Sequence, residues 1–245
     1  MPRSRRLFLA LAAVAAIGLA GAVIGLPEII ARRAEQVAQT CLGLANRETR
    51  CRFIGGPLEM QGQPVFLEGF NQAFLPTGVE IDFIDASGET WTAPRRTLTD
   101  GATIPPIFAP FIGDRQSREY LMAAALHDAY CGVGNDDLPT WRTRRWEDVH
   151  RMFYEALLVN GTPPHKAKLM FAAVYLGGPR WDDPVRDLSG VTDEALRQEL
   201  DWCLQWIELK DPPVERIAAW MTEREAALKA GTNVRPAVLD AQIDE

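Results

Sequence analysis

The side chains able to do chemistry are few. The histidines are His127, His150 and His165, and the cysteines are Cys41, Cys51, Cys131 and Cys203. His127 and Asp128 sit inside an otherwise apolar run, MAAALHDAYC. Burying two ionisable groups without partners is expensive, so this pair calls for a polar site. Adjacent side chains on a helix point about 100° apart and can reach one site from two sides. Tyr130 and Cys131 follow at helical spacing and share the face of His127. His150 lies in WEDVHRMF, with Glu147 and Asp148 before it and Arg142, Arg144, Arg145 and Arg151 around it. That run also suits a solvated helix start. Its arginines could grip an anionic group such as phosphate or carboxylate, or simply face water. The third piece is TDGATIP at residues 99–105. Asp100 before Gly101 can bond its own backbone and fix a tight turn, which also suits a plain connection from sheet to helix.

Together, Asp100, His127 and His150 offer one carboxylate and two imidazoles. Two His and one carboxylate form a common catalytic zinc set, with the fourth position open to water. This predicts a divalent transition metal, zinc first. Asp128 would be the catalytic base, a further ligand, or the partner that orients His127. His127 and His150 fall in separate helices, so the site requires those helices to pack face to face. Two other readings stay open. Cys131 could be a thiolate activated by His150, with Asp148 or Asp128 orienting the imidazole. The cluster could also be a buried, fully satisfied structural network. No HExxH, CxxC, P-loop, GxGxxG or GxSxG pattern occurs. An HD-type phosphohydrolase needs a histidine upstream of its HD pair, and none precedes His127.

The elements that must position these groups follow from periodicity. Short segments rich in β-branched and aromatic residues occur at 52–55, 64–70, 79–84 and 89–93. Val79, Ile81 and Phe83 alternate with more polar neighbours, and DASG at 85–88 is a turn signal, so 79–93 reads as a hairpin. Three-and-four spacing then predicts helices at 117–131 with Ser117 as N-cap, at 145–160, at 164–177, from Thr192 to about 210, and from 214 to about 230. Residues 179–191 read as a loop and 231–245 as a loose tail. The expected fold is α+β, a small antiparallel sheet packed on a helical bundle. Cys41 and Cys51 are the best disulfide pair, and Cys131 with Cys203 would be a second. Trp202 and Trp206 share a helix face, and Trp220 lies on the next helix. Together they suit core packing or a partner-binding face.

The N-terminus supplies an address. Arg3, Arg5 and Arg6 precede an uncharged run of 20 residues, 7–26, and about 20 residues cross a bilayer. Basic residues stay on the cytoplasmic side. The expectation is a single-pass inner-membrane anchor with the remainder in the periplasm, or a secreted chain if the segment is a cleaved signal peptide. A buried soluble helix is the remaining reading. Residues 27–50 read as a helical stalk. The chain has 245 residues, 47% hydrophobic and 24% charged, with net charge −7. That excludes collagenous, coiled-coil or wholly disordered chains and argues against a nucleic-acid partner.

Three blocks occur in order: Ala93-Pro94 then Asp100-Gly101-Ala102-Thr103-Ile104-Pro105, Ala124-Ala125-Leu126-His127-Asp128-Ala129-Tyr130, and His150-Arg151-Met152-Phe153. This pattern resembles the bacterial and phage family catalogued as domain of unknown function 1353, over roughly residues 50–178. The third block departs from it, with His150 where the family has Asp. The resemblance implies no activity, but it implies that Asp100, His127, Asp128 and His150 converge. The expected organisation is an anchor or signal at 1–26, a stalk at 27–50, an α+β core at 51–178 and a helical extension at 179–245. The expected function is a membrane-anchored, metal-dependent hydrolase acting on an envelope polymer. The alternative is a non-enzymatic envelope or phage-derived module with a protein partner.

Overall fold

The structure is a computed structural model that describes Cys41, residues 51–101 and residues 120–240. The anchor at 7–26, the stalk apart from Cys41, the Ser117 cap and residues 102–105 of the turn motif lie outside the described residues. Among the described residues no helix is long and apolar enough to cross a membrane.

Among the described residues the architecture is α+β, with two small antiparallel sheets and five helices. The first sheet has the order β1–β4–β5, from Arg52–Ile54, Ile81–Ile84 and Thr90–Ala93. Its register sets Phe53 and Trp91 on either side of Phe83, and Ile81 opposite Ala93. Alternation works as expected on β4: Ile81 and Phe83 are buried, while Asp82 and Ile84 are half-buried. The β4–β5 turn is held by the Asp85 carboxylate, which accepts from the backbone N–H groups of Ser87 and Glu89 and from the Trp91 indole. The second sheet has the order β2–β3–β6, from Val65–Phe66, Ala73–Pro76 and Leu98–Thr99. Strand β6 has only two residues and the AFLP of β3 carries no polar–apolar alternation, so the sequence reads as loop there.

Five helices follow: α1 Leu121–Cys131, α2 Trp146–Val159, α3 Pro164–Gly177, α4 Asp193–Lys210 and α5 Val214–Ala230. They pack in succession, α1 on α2, α2 on α3 and α3 on α4, and α5 covers α3 and α4. Helix α1 also lies against β4, β5 and β6. It is buried from Ala123 to Cys131, which explains why its sequence is apolar on every face. The Thr192 hydroxyl accepts from the Ala195 N–H as the N-cap of α4. Cys41 and Cys51 are joined by a disulfide. Cys131 and Cys203 are both free thiols, because they are buried in different parts of the helical layer; the second pairing expected from sequence is therefore corrected. The tail is corrected as well. Residues Ala237–Leu239 form a 3₁₀ turn on α4, with Leu239 buried. Arg235 ties that turn to Gln205 and Asp240.

Candidate metal centre

Helix α1 ends at Cys131, and its last carbonyls need partners outside the helix. The loop that follows supplies them. Asn135 Nδ2 donates to the Asp128 carbonyl, Thr140 Oγ1 to Ala129, and the Arg142 N–H to Tyr130. Asn135 also pairs with both backbone groups of Leu98, tying α1 to strand β6. These bonds fix the end of α1 and with it His127 and Cys131, one turn apart on one face.

Helix α2 brings His150 onto that face. The His127 and His150 ring centroids are 5.3 Å apart. Cys131 Sγ is 3.4 Å from His127 Nε2. One donor atom from each of His127, Cys131 and His150 lies within 4.8 Å of the other two. Asp128 Oδ1 is 3.8 Å from His127 Nδ1. Phe153 packs against His127, while Trp146, Tyr175 and Trp181 surround His150. A second group of potential ligands, Cys41, Cys51 and Glu155, has its thiols in the disulfide.

His150 is the informative member. It is 0% exposed, yet neither ring nitrogen has a hydrogen-bond partner. Leaving a buried polar atom unsatisfied costs roughly 1–3 kcal/mol. Burial, then the charges of His127 and Arg180, hold its pKa well below the ordinary range, so the ring is neutral with a lone pair available. For His127, burial alone would lower the pKa. The neighbouring Cys131 and Asp128 side chains outweigh it and raise the value to about 10. Backbone at Gly178 closes over His150. A Cβ added there would sit 3.0 Å from His150 Cε1, 3.1 Å from Nε2 and 2.4 Å from the Val174 carbonyl.

Of the cluster, Cys131 lines a cleft of about 700 Å³, with Trp141, Arg142, Gly178, Arg180 and Ser189 among its other walls, while His127 and His150 lie buried behind it. Arg180 is locked into its wall. Its guanidinium donates to Glu225 at 2.7 Å and to the Arg186 and Tyr175 carbonyls, and it stacks on Trp146. Arg186 shares Glu225, so the C-terminal helices hold the cleft together.

The structure therefore brings His127, His150 and Asp128 together. Asp100 stands outside the group. Its carboxylate is buried near the end of β6 and accepts from Gln72 Nε2 at 3.0 Å. Cys131 takes a place in the cluster that sequence reasoning offered to Asp100. The sequence did show that signal, since Cys131 falls four residues after His127. Arg180 and Glu225 carried no local signal, because their pairing spans 45 residues. His165 lies elsewhere, paired with Glu208 on the surface.

The uncharacterized protein y4iH of Sinorhizobium fredii (strain NBRC 101917 / NGR234) is 40% identical over 102 residues, covering 42% of this chain and 39% of the relative. The uncharacterized protein y4jT of the same strain is 31% identical over 144 residues, covering 59% and 40%. The chain thus spans about two fifths of the length of these curated relatives. No solved structure matches. Residues 77–174, which carry His127, Asp128, Cys131 and His150, match the family described as protein of unknown function (DUF1353), and over that stretch the chain resembles that family as its three motif blocks indicate.

Proposed function

We propose that the protein holds a divalent transition metal, zinc first, through His127, Cys131 and His150, and uses it for hydrolysis of a substrate in the adjoining cleft. The observation that carries this reading is His150, fully buried with two unpartnered nitrogens beside a thiol and a second imidazole. A finished structural network would satisfy that ring; a metal ion satisfies it directly. The donor chemistry fits. Zn–S and Zn–N bonds in a tetrahedral centre put sulfur and nitrogen about 3.5 Å apart, and Cys131 Sγ and His127 Nε2 are 3.4 Å apart. Asp128 Oδ1 lies 3.8 Å from His127 Nδ1, and a carboxylate beside a ligating imidazole raises its basicity. Three protein ligands leave one position for water, whose acidity the metal would raise. The role of Asp128 in this reading is to orient His127, since the carboxylate is as buried as the ring itself.

The proposal extends to location. The 7–26 run would anchor or export the domain, and the Cys41–Cys51 disulfide suits an oxidising compartment. An envelope polymer would then be the substrate within reach.

A second reading has its own observation. The close Cys131–His127 contact is also that of a metal-free thiolate–imidazolium pair. Elemental analysis separates the two. The full chain should carry near-stoichiometric metal after zinc loading, and His127→Ala and Cys131→Ala should lose it while Asp100→Ala keeps it. Absence of metal in the loaded wild type, with Cys131 rapidly alkylated at neutral pH, would give the site to the thiolate.

A further inference from the structure

The cleft beside the cluster is asymmetric in charge with depth. Its carboxylates, Asp136, Asp187 and Asp193, are all exposed at the rim. Asp187 is occupied by Ser189, whose N–H and hydroxyl both donate to it. Asp193 sits in the first turn of α4, where the helix dipole favours a negative charge. The deepest charged side chain is Arg180, 2% exposed. It shares its carboxylate partner, Glu225, with Arg186, and its Nε–H is buried with no acceptor.

Arg142 lies on the same cleft. Its backbone is left-handed, with φ +51°, and is held there by its N–H bond to the Tyr130 carbonyl at 2.9 Å. A non-glycine residue in that region stores strain, which clusters at binding sites. Its guanidinium centre is 5.0 Å from the Trp141 ring centroid and 6.0 Å from that of Trp181. Among the described residues it pairs with no carboxylate. Arg142 is exposed, like the three aspartates, and the fold spends backbone strain and two indoles on holding its guanidinium at the cleft.

The geometry points to an oxyanion subsite: Arg142 binds the anionic group, carboxylate or phosphate, of the substrate whose scissile bond lies at the His127–Cys131–His150 cluster, and the buried charge of Arg180 in the cleft wall favours an anion there. Arginine forks suit either group. The substrate class becomes an acidic one, such as a carboxylate-bearing peptide or a phosphorylated glycan. The placement of the scissile bond rests on the metal reading above, whereas the anion subsite does not.

The test uses the full chain and two probes, inorganic phosphate and succinate, titrated by calorimetry. Wild type, Arg142→Gln and His150→Leu are compared, each zinc-loaded and then stripped. Arg142→Gln should weaken the preferred anion at least tenfold while zinc content stays that of wild type. His150→Leu should lose zinc and keep anion binding. The tighter probe decides between phosphate and carboxylate. Equal binding by wild type and Arg142→Gln, or no binding of either probe to wild type, overturns the subsite. Wild type that binds anion through Arg142 but takes up no zinc leaves the subsite standing and removes only the metal reading.

Discussion

Replacing His150 by leucine separates the metal reading from the network reading, because the two give opposite signs. In the metal-free protein His150 contributes two buried, unpartnered nitrogens. Removing a buried polar group that lacks partners recovers about 1–3 kcal/mol of desolvation. Leucine fills a similar volume among Trp146, Tyr175 and Trp181. Metal-free His150→Leu should therefore be as stable as metal-free wild type, or more stable by about 1–2 kcal/mol. Zinc then reverses the order. A ligand that binds only the folded state at about 1,000 times its Kd adds about 4 kcal/mol. For a chain of this size that is a rise in Tm of about 8–16 °C. Wild type should show it, and His150→Leu should show almost none. Urea denaturation and thermal melts of both proteins, with chelator and with excess zinc, give the four numbers. A metal-free His150→Leu destabilised by more than about 3 kcal/mol, with wild type indifferent to zinc, would refute the reasoning. The imidazole would then be a satisfied part of the core.

Three further outcomes are expected. Glu225→Ala leaves buried Arg180 and half-buried Arg186 without their shared carboxylate, and should cost about 3–5 kcal/mol in denaturant titrations; a loss under about 1 kcal/mol would show that the pair behaves as an exposed one. Gly178→Ala forces a methyl against the Val174 carbonyl and the His150 ring, so zinc affinity should fall at least as much as stability, and unchanged zinc binding would contradict the placement of Gly178 over the ligand. The metal-free protein should lose stability as pH falls below about 6.5. His150 has a folded pKa far below its unfolded value, so its contribution is intact above that unfolded value. It is lost toward acid at up to about 1.4 kcal/mol per pH unit. His127, raised to about 10, is protonated in both states below pH 6.5 and adds nothing to that acid limb; its own contribution fades as pH rises through about 10. The acid slope should be shallower by about one proton in His150→Leu, and an unchanged slope would place the titration elsewhere.

Much of the frame was legible in the sequence because local rules govern it. The β4–β5 hairpin follows from alternation and the Asp85 turn, and the helices follow from spacing and from punctuation such as Thr192 and Gly231. His127 with Asp128 announced a polar site because charge in an apolar helix has to be satisfied. Strands β3 and β6 were not legible, since the AFLP of β3 does not alternate and the two residues of β6 are held by a distant partner, Asn135. The ligand set was half legible. His127 and His150 could be paired only by assuming that α1 and α2 pack face to face, which they do. Asp100 attracted attention through its turn, but its carboxylate is taken up by a neighbour, Gln72, and not by the cluster. Cys131 shares a helix face with His127, so its proximity is a local consequence of helical geometry. The wall made by Arg180, Arg186 and Glu225 joins a loop to the last long helix, and nothing in either segment announces the other.

X-ray absorption at the zinc edge of the loaded full-length chain tests the central claim most directly. A zinc held by His127, Cys131 and His150 should show one sulfur at about 2.3 Å, two imidazole nitrogens at about 2.0–2.1 Å and one light atom from water. The sulfur should vanish in Cys131→Ser. A shell of nitrogen and oxygen alone in wild type, or no bound zinc, would contradict it.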